Sequence, residues 1–251
     1  MANTSRDSIA NTLLVAIGLS FVCSILVATT AVVLKPVQQR NEDEFRQRII
    51  LEVAGLMQPD VSIETLFAAI ETRMVEIDSG DYVADLSAAD SALSVAIPAE
   101  SDIANIRQRA VYSPVYLVRE GGELRQIILP VHGSGLWSTM YGYLSVGTDG
   151  NTVNGLRFYS HAETPGLGDQ VDKPAWRAQW VGKQLYDDNG VARIEVVRGV
   201  AQDRNSRYEI DGLSGATLTG RGVSQLVRFW VGPQGFGPYL QKIQSQQGDS
   251  T

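Results

Sequence analysis

The chain has 251 residues with 21 Lys and Arg against 28 Asp and Glu, a formal charge of −7, so it lacks the basic face that nucleic-acid phosphates demand. One cysteine excludes an internal disulfide framework and a Cys-based zinc or iron–sulfur centre, and two histidines argue against a His-rich metal site, so no metal is expected. A hydrophobic fraction of 44% with 20% charged residues is the composition of a folded chain rather than a disordered one.

Residues 13–34 read LLVAIGLSFVCSILVATTAVVL, with no charge and no proline. As a helix that stretch spans about 33 Å, enough to cross a hydrocarbon core of about 30 Å. A cleaved signal peptide fits less well. The run exceeds a typical h-region, and Val32, Val33 and Leu34 continue it where a small-residue cleavage site belongs. The expectation is one retained transmembrane anchor after a tail of residues 1–12. Arg6 lies before the span and Lys35 and Arg40 after it, so the positive-inside rule gives no orientation.

Beyond the anchor the pattern predicts a helical juxtamembrane and N-terminal part of the soluble domain over residues 35–110. Ile49, Ile50, Val53, Leu56 and Met57 recur at helical spacing toward Gly55. Ile63, Leu66, Phe67, Ile70, Met74 and Ile77 predict a second helix over 62–77, packing by apolar contact. Residues 87–94 are small and polar and read as a loop.

From Tyr112 the texture turns to strand. Residues 115–118 and 124–130 flank Glu120-Gly121-Gly122-Glu123, a hairpin pattern. Residues 141–146 and 153–159 flank a second turn, Gly147-Thr148-Asp149-Gly150-Asn151. A strand is expected over 192–197 and a short helix over 223–230, bounded by Gly232-Pro233. The Gln- and Ser-rich tail from Gln241 is expected to fray, with 246–251 flexible. The sum is an α+β domain of antiparallel strands with flanking helices.

Three strings could carry chemistry. Asp211-Gly212-Leu213-Ser214-Gly215-Ala216-Thr217-Leu218-Thr219 reads as strand end, glycine turn, hydroxyl residues and helix start. Free amides and the positive dipole end at such a turn favour an anion. Read alone, it is equally a plain N-cap formed by Ser214, Thr217 or Thr219. His161-Ala162-Glu163-Thr164-Pro165-Gly166-Leu167-Gly168 is a turn after a strand, with polar groups and one leucine for a ring. Gly133-Ser134-Gly135-Leu136-Trp137-Ser138 is a Gly-rich turn, with Trp137 a core candidate; it lacks a dinucleotide fingerprint. No G-x-S-x-G elbow is present for a Ser–His–Asp hydrolase. Cys23 lies inside the apolar stretch, a poor place for a thiolate.

The first string resembles the D-x-x-[ST]-G-A-[ST] pattern at which flavin transferases attach FMN. A chance match in a chain this long is on the order of one in a thousand. The second and third resemble the H-x-E-T-P-G-L-G and G-x-G-L-W signatures of the same FMN-binding family, in the same order. The whole chain, span included, resembles the family of C subunits of the sodium-translocating NADH:quinone reductase.

That resemblance implies an FMN-binding domain over residues 111–245, with FMN joined through its phosphate to Thr217. It assigns Leu136, Trp137, Glu163, Thr164, Leu167, Gly168, Ser214, Gly215, Ala216, Leu218 and Thr219 to the flavin's surroundings. It assigns Asp211, with Ser214, Gly215, Ala216 and Thr217, to recognition by the flavin transferase. It further implies one electron-carrying subunit, not catalytically complete alone, of an inner-membrane complex that oxidises NADH, reduces ubiquinone and pumps Na⁺. Its partners are the other subunits, the transferase and membrane lipid, and its domain lies in the periplasm. The G subunit of the Rnf complex carries the same signatures and the same single span. A different class of reading is a membrane-tethered binding module without redox work; bound flavin separates it from the other two.

Overall fold

The computed structural model describes residues 9–86, 90, 92–201 and 206–248. The chain divides into two compact units, Met1–Phe45 and Arg46–Thr251. Helix α1 runs unbroken over Ile9–Val53. It contains the apolar stretch 13–34, is long and apolar enough to cross a membrane, and buries none of that stretch in protein.

The second unit is built on a six-stranded antiparallel sheet. Its strands are β1 (Ile70–Glu76), β2 (Tyr82–Val83), β5 (Tyr112–Glu120), β6 (Glu123–Ser134), β7 (Thr139–Gly147) and β8 (Val153–Ser160), in the order β2-β1-β5-β6-β7-β8. The two expected hairpins are its centre, with turns where Gly121-Gly122 and the 148–152 segment break the strand pattern. Strands β3 (Ser94–Ala96) and β4 (Gln108–Ala110) form a separate hairpin.

Side chains alternate across a strand, so each strand feeds two cores. From β5 and β6, Val115, Leu117, Ile127, Leu129 and Val131 enter the larger core. The short helix α3 (Pro174–Arg177) adds Trp176 to it, and helix α4 (Thr217–Val231) adds Val223, Leu226, Val227 and Trp230. Val118 and Ile128 point the other way, to Ile49, Ile50, Leu51 and Ala54 at the end of α1. Glu52 and Arg157 form an ion pair beside this second core. α4 is fastened to the sheet by Trp230, whose Nε1 donates to the His132 carbonyl at 2.6 Å.

Several expectations are corrected. The 62–77 segment is helical only in α2 (Ile63–Phe67); from Ile70 it is β1, paired residue for residue with Val118 back to Tyr112. Seven cross-strand pairs outweigh a local apolar spacing that fits either structure. Strands β1 to β4 therefore lie within the 35–110 part expected to be helical. In the 87–94 loop, residues 87–89 and 91 lie outside the described residues, and Ser94 opens β3.

The expected 192–197 strand shrinks to β9 (Glu195–Val196), parallel to β10 (Glu209–Ile210), the one parallel pair among the described strands. Helix α4 begins at Thr217, six residues before Val223. The tail does not fray at Gln241: helix α5 (Gly237–Gly248) includes it, anchored by buried Tyr239, Leu240 and Ile243.

Two outcomes follow for stability. Trp230→Phe removes the indole N–H that binds the His132 carbonyl and leaves a void where the second ring packs, so in denaturant unfolding of the detergent-solubilised chain it should cost more than the about 1–3 kcal/mol of the hydrogen bond alone. Burial against Tyr141 and Trp230 holds the His132 imidazole below its ordinary value of 6.5. The unfolded chain therefore binds this proton first, and stability present above pH 6.5 is lost as pH falls toward the depressed folded value. His132→Gln should flatten that part of the stability–pH curve.

Candidate functional site

Sheet and helix bring the three strings together as three turns. The first joins β6 to β7, the second follows β8, and the third leads from β10 into α4. Between them lies the Glu163 side chain, only 5% exposed. Its Oε1 accepts from the backbone amides of Leu136 (2.9 Å) and Trp137 (3.1 Å). Its Oε2 accepts from the Thr219 hydroxyl. One carboxylate thus ties all three turns to one another.

The surrounding residues are chosen by this approach. A Cβ on Gly168 would meet Glu163 Oε2 at 2.8 Å and Thr219 Oγ1 at 2.9 Å, and one on Gly135 would overlap Glu163 Oε1. Trp137 Nε1 donates to Thr164 Oγ1 at 2.9 Å, joining the first turn to the second. Gln170 Nε2 donates to the carbonyls of Gly166 and Ser214, both at 3.2 Å, joining the second to the third. The Glu163 amide donates to His161 Nδ1 at 3.2 Å, which leaves His161 Nε2 to donate to Asp172 at 2.9 Å.

The third turn ends in an open helix terminus. The N-cap is Ala216, which has no side chain to accept a bond, so neither Ser214, Thr217 nor Thr219 caps the helix. The amides of Thr217, Leu218 and Thr219 have no preceding turn to bond and carry the positive end of the α4 dipole. Thr217 is the first helical residue, and its side chain is exposed, as are those of Ser214 and Leu218. Beside it a cleft of about 190 Å³ is lined by Arg198, Gly199, Leu213, Thr217 and Arg221 among others.

The two arginines were missed in the sequence. Arg221 stands four residues after Thr217, a helical neighbour in retrospect. Arg198 lies outside every string, and only the β9–β10 pairing brings it here.

Apolar groups stand around the same turns. Leu136, Trp137, Leu167 and Leu218 are 42%, 68%, 42% and 56% exposed, so Trp137 is not a core residue. A Cβ on Gly215 would meet Leu167 Cδ2 at 2.8 Å, which places the second and third turns in direct contact. Several of the assigned residues do something other than face outward: Gly168, Ala216 and Thr219 are buried, and Thr219 gives its hydroxyl to Glu163. Glu163 spends both oxygens on the turns. Asp211 accepts from the Ala201 amide (2.8 Å), while its own amide donates to Gln179 Oε1 (2.9 Å) and its carbonyl accepts from Trp176 Nε1 (2.8 Å).

The donor set fits a phosphate ester: three unbonded helix amides, two arginines and an exposed hydroxyl, with flat apolar surface alongside. The family model described as FMN-binding domain matches residues 135–232, which hold the second and third turns whole and the first from Gly135 on. The second unit therefore contains an FMN-binding domain.

The C subunit of the Na(+)-translocating NADH-quinone reductase of Yersinia pestis is 46% identical over 95% of this chain and 94% of its own. Its counterpart from Vibrio vulnificus is 48% identical over 95% and 97%. The crystal structure of Shewanella oneidensis NqrC superposes with a TM-score of 0.74 at 32% identity, over 83% of this chain and 99% of that one. The chain belongs to the family of Na(+)-translocating NADH-quinone reductase C subunits.

Gly168→Ala places a methyl group against Glu163 and Thr219. It should cost about 1–3 kcal/mol in denaturant unfolding, the penalty of overpacking.

Proposed function

We propose that this chain carries FMN as a phosphoester on Thr217 and serves as an electron-transfer subunit of a membrane NADH:ubiquinone reductase that pumps Na⁺. The observation that carries the reading is the exposed Thr217 hydroxyl at the uncapped start of α4, beside Arg198 and Arg221. When bound, FMN accepts and passes on electrons singly. The chain's own residues bind and orient it. The amides of Thr217, Leu218 and Thr219 and the two guanidinium groups offset the remaining phosphate charge. Leu136, Trp137, Leu167 and Leu218 offer apolar surface to the ring, and Thr164 fixes the Trp137 indole.

Attachment uses the same geometry. The Thr217 oxygen attacks the FMN-side phosphorus of FAD, forming a new O–P bond. The pyrophosphate bridge breaks, AMP departs, and the hydroxyl proton passes to base or solvent. A flavin transferase supplies the FAD and the catalysis. Asp211 acts in this step by holding the approach to Ser214 and Gly215, through its bonds to Ala201, Gln179 and Trp176.

The names of the relatives favour the Na⁺-translocating complex over the Rnf complex. NADH oxidation and quinone reduction then belong to partner subunits. The residue 13–34 stretch anchors the chain in the inner membrane, with the large unit in the periplasm. A covalent tether suits that side, where released flavin is lost from the cell. The membrane-tethered binding module without flavin has no specific observation in its favour.

Thr217→Val should abolish flavin that survives denaturation, while circular dichroism and melting stay close to those of the parent chain. Flavin fluorescence of the denatured variant on a gel reads the outcome directly, and a fluorescent band would refute the attachment site.

A further inference from the structure

We propose that Glu163 is a positioning residue that also fixes one negative charge beside the redox group and holds its reduction potential down. The inference rests on the reading above that FMN lies at these turns, and it assigns Glu163 a role other than direct contact with the flavin.

The charge state follows from hydrogen bonding. Both Glu163 oxygens accept: Oε1 from two backbone amides, Oε2 from a hydroxyl. Two backbone amides, which can only donate, converge on Oε1 and the Thr219 hydroxyl donates to Oε2, a donor set that stabilises the carboxylate. All three donors are neutral, and among the described residues no Lys, Arg or His forms an ion pair with it. The side chain is 5% exposed, so water screens it little.

The position follows from the chain. The amides that bind Oε1 belong to Leu136 and Trp137, whose exposed side chains form part of the apolar surface. The hydroxyl that binds Oε2 lies two residues after Thr217, on the same helical turn. Glu163 therefore sits beneath the surface that receives the ring and beside the residue that holds the phosphate. A fixed negative charge there opposes the arrival of an electron. At an effective dielectric constant near 20, one unit charge within about 12 Å changes a one-electron reduction equilibrium on the order of tenfold.

The purely structural alternative is that Glu163 only braces the turns. The two roles separate by sign. Glu163→Gln removes the charge and keeps an acceptor for the Leu136 and Trp137 amides. Thr219→Val removes only the hydroxyl that partly neutralises the carboxylate, at a fully buried position where valine is isosteric. A field effect moves the two variants in opposite directions. A loosened site moves both the same way.

The experiment is a redox titration of flavin absorbance on the full-length chain, purified in detergent from cells that hold the transferase. Melting and the mass of the denatured chain are measured on the same samples. Glu163→Gln should shift the midpoint upward by about tenfold in the reduction equilibrium, 59 mV for a one-electron couple. Thr219→Val should lower it. An unshifted Glu163→Gln, or an upward shift of similar size in Thr219→Val, overturns the proposal. Should Glu163→Gln fail to fold, an upward or absent shift in Thr219→Val still overturns it and a downward shift supports it. The denatured mass reads attachment separately, so failure of the Thr217 linkage is distinguished from failure of the charge effect.

Discussion

The Glu163 carboxylate accepts from the amides of Leu136 and Trp137 and from the hydroxyl of Thr219, and each partner comes from a different part of the chain than Glu163 itself. Burying a carboxylate is costly unless its oxygens are satisfied. These donors meet that requirement only when the β6–β7 turn, the turn after β8 and the start of α4 are all in place. Two glycines follow from it, since Gly135 and Gly168 lie where any side chain would strike the carboxylate or its partner. The rest of the fold supplies the platform: β6, β7 and β8 are consecutive neighbours in the sheet, and α4 is packed across it through Val223, Leu226, Val227 and Trp230.

This arrangement separates what holds the site from what the site presents. Glu163, Thr219, His161, Gln170 and Asp211 are committed to hydrogen bonds within and between turns. Thr217, Leu136, Trp137, Leu167 and Leu218 are left facing outward. Residues of both kinds sit side by side in the same strings, so a motif that reads as a list of flavin contacts is in part a list of braces. The helix start shows the same economy. An alanine N-cap forgoes the stabilisation of a serine or aspartate cap, about 1 kcal/mol, and leaves the amides open to an anionic ligand.

Much of this was legible in the sequence, and the exceptions have physical causes. The central hairpins were readable because Gly121-Gly122 and the 147–151 turn interrupt clear strand patterns. The three strings were readable as turns for the same reason. The 62–77 segment was misread because Ile63, Leu66, Phe67, Ile70 and Met74 suit a helix locally, while the pairing of β1 with β5 joins residues 36 to 48 apart, which no local window contains. Helix α5 was missed because three buried side chains, Tyr239, Leu240 and Ile243, hold an otherwise polar segment. The hub role of Glu163 was invisible for a similar reason: its partners lie 26 to 56 residues away in sequence. Arg198 reaches the Thr217 cleft only through the short parallel pairing of β9 with β10.

The central claim is that Thr217 bears the flavin, and the most direct test is the intact mass of the full chain, purified from cells with an active flavin transferase and then denatured. The account predicts a chain heavier by FMN less one water, with the added mass on the peptide that contains Thr217. An unmodified chain, or the added mass on a peptide without Thr217, would contradict it.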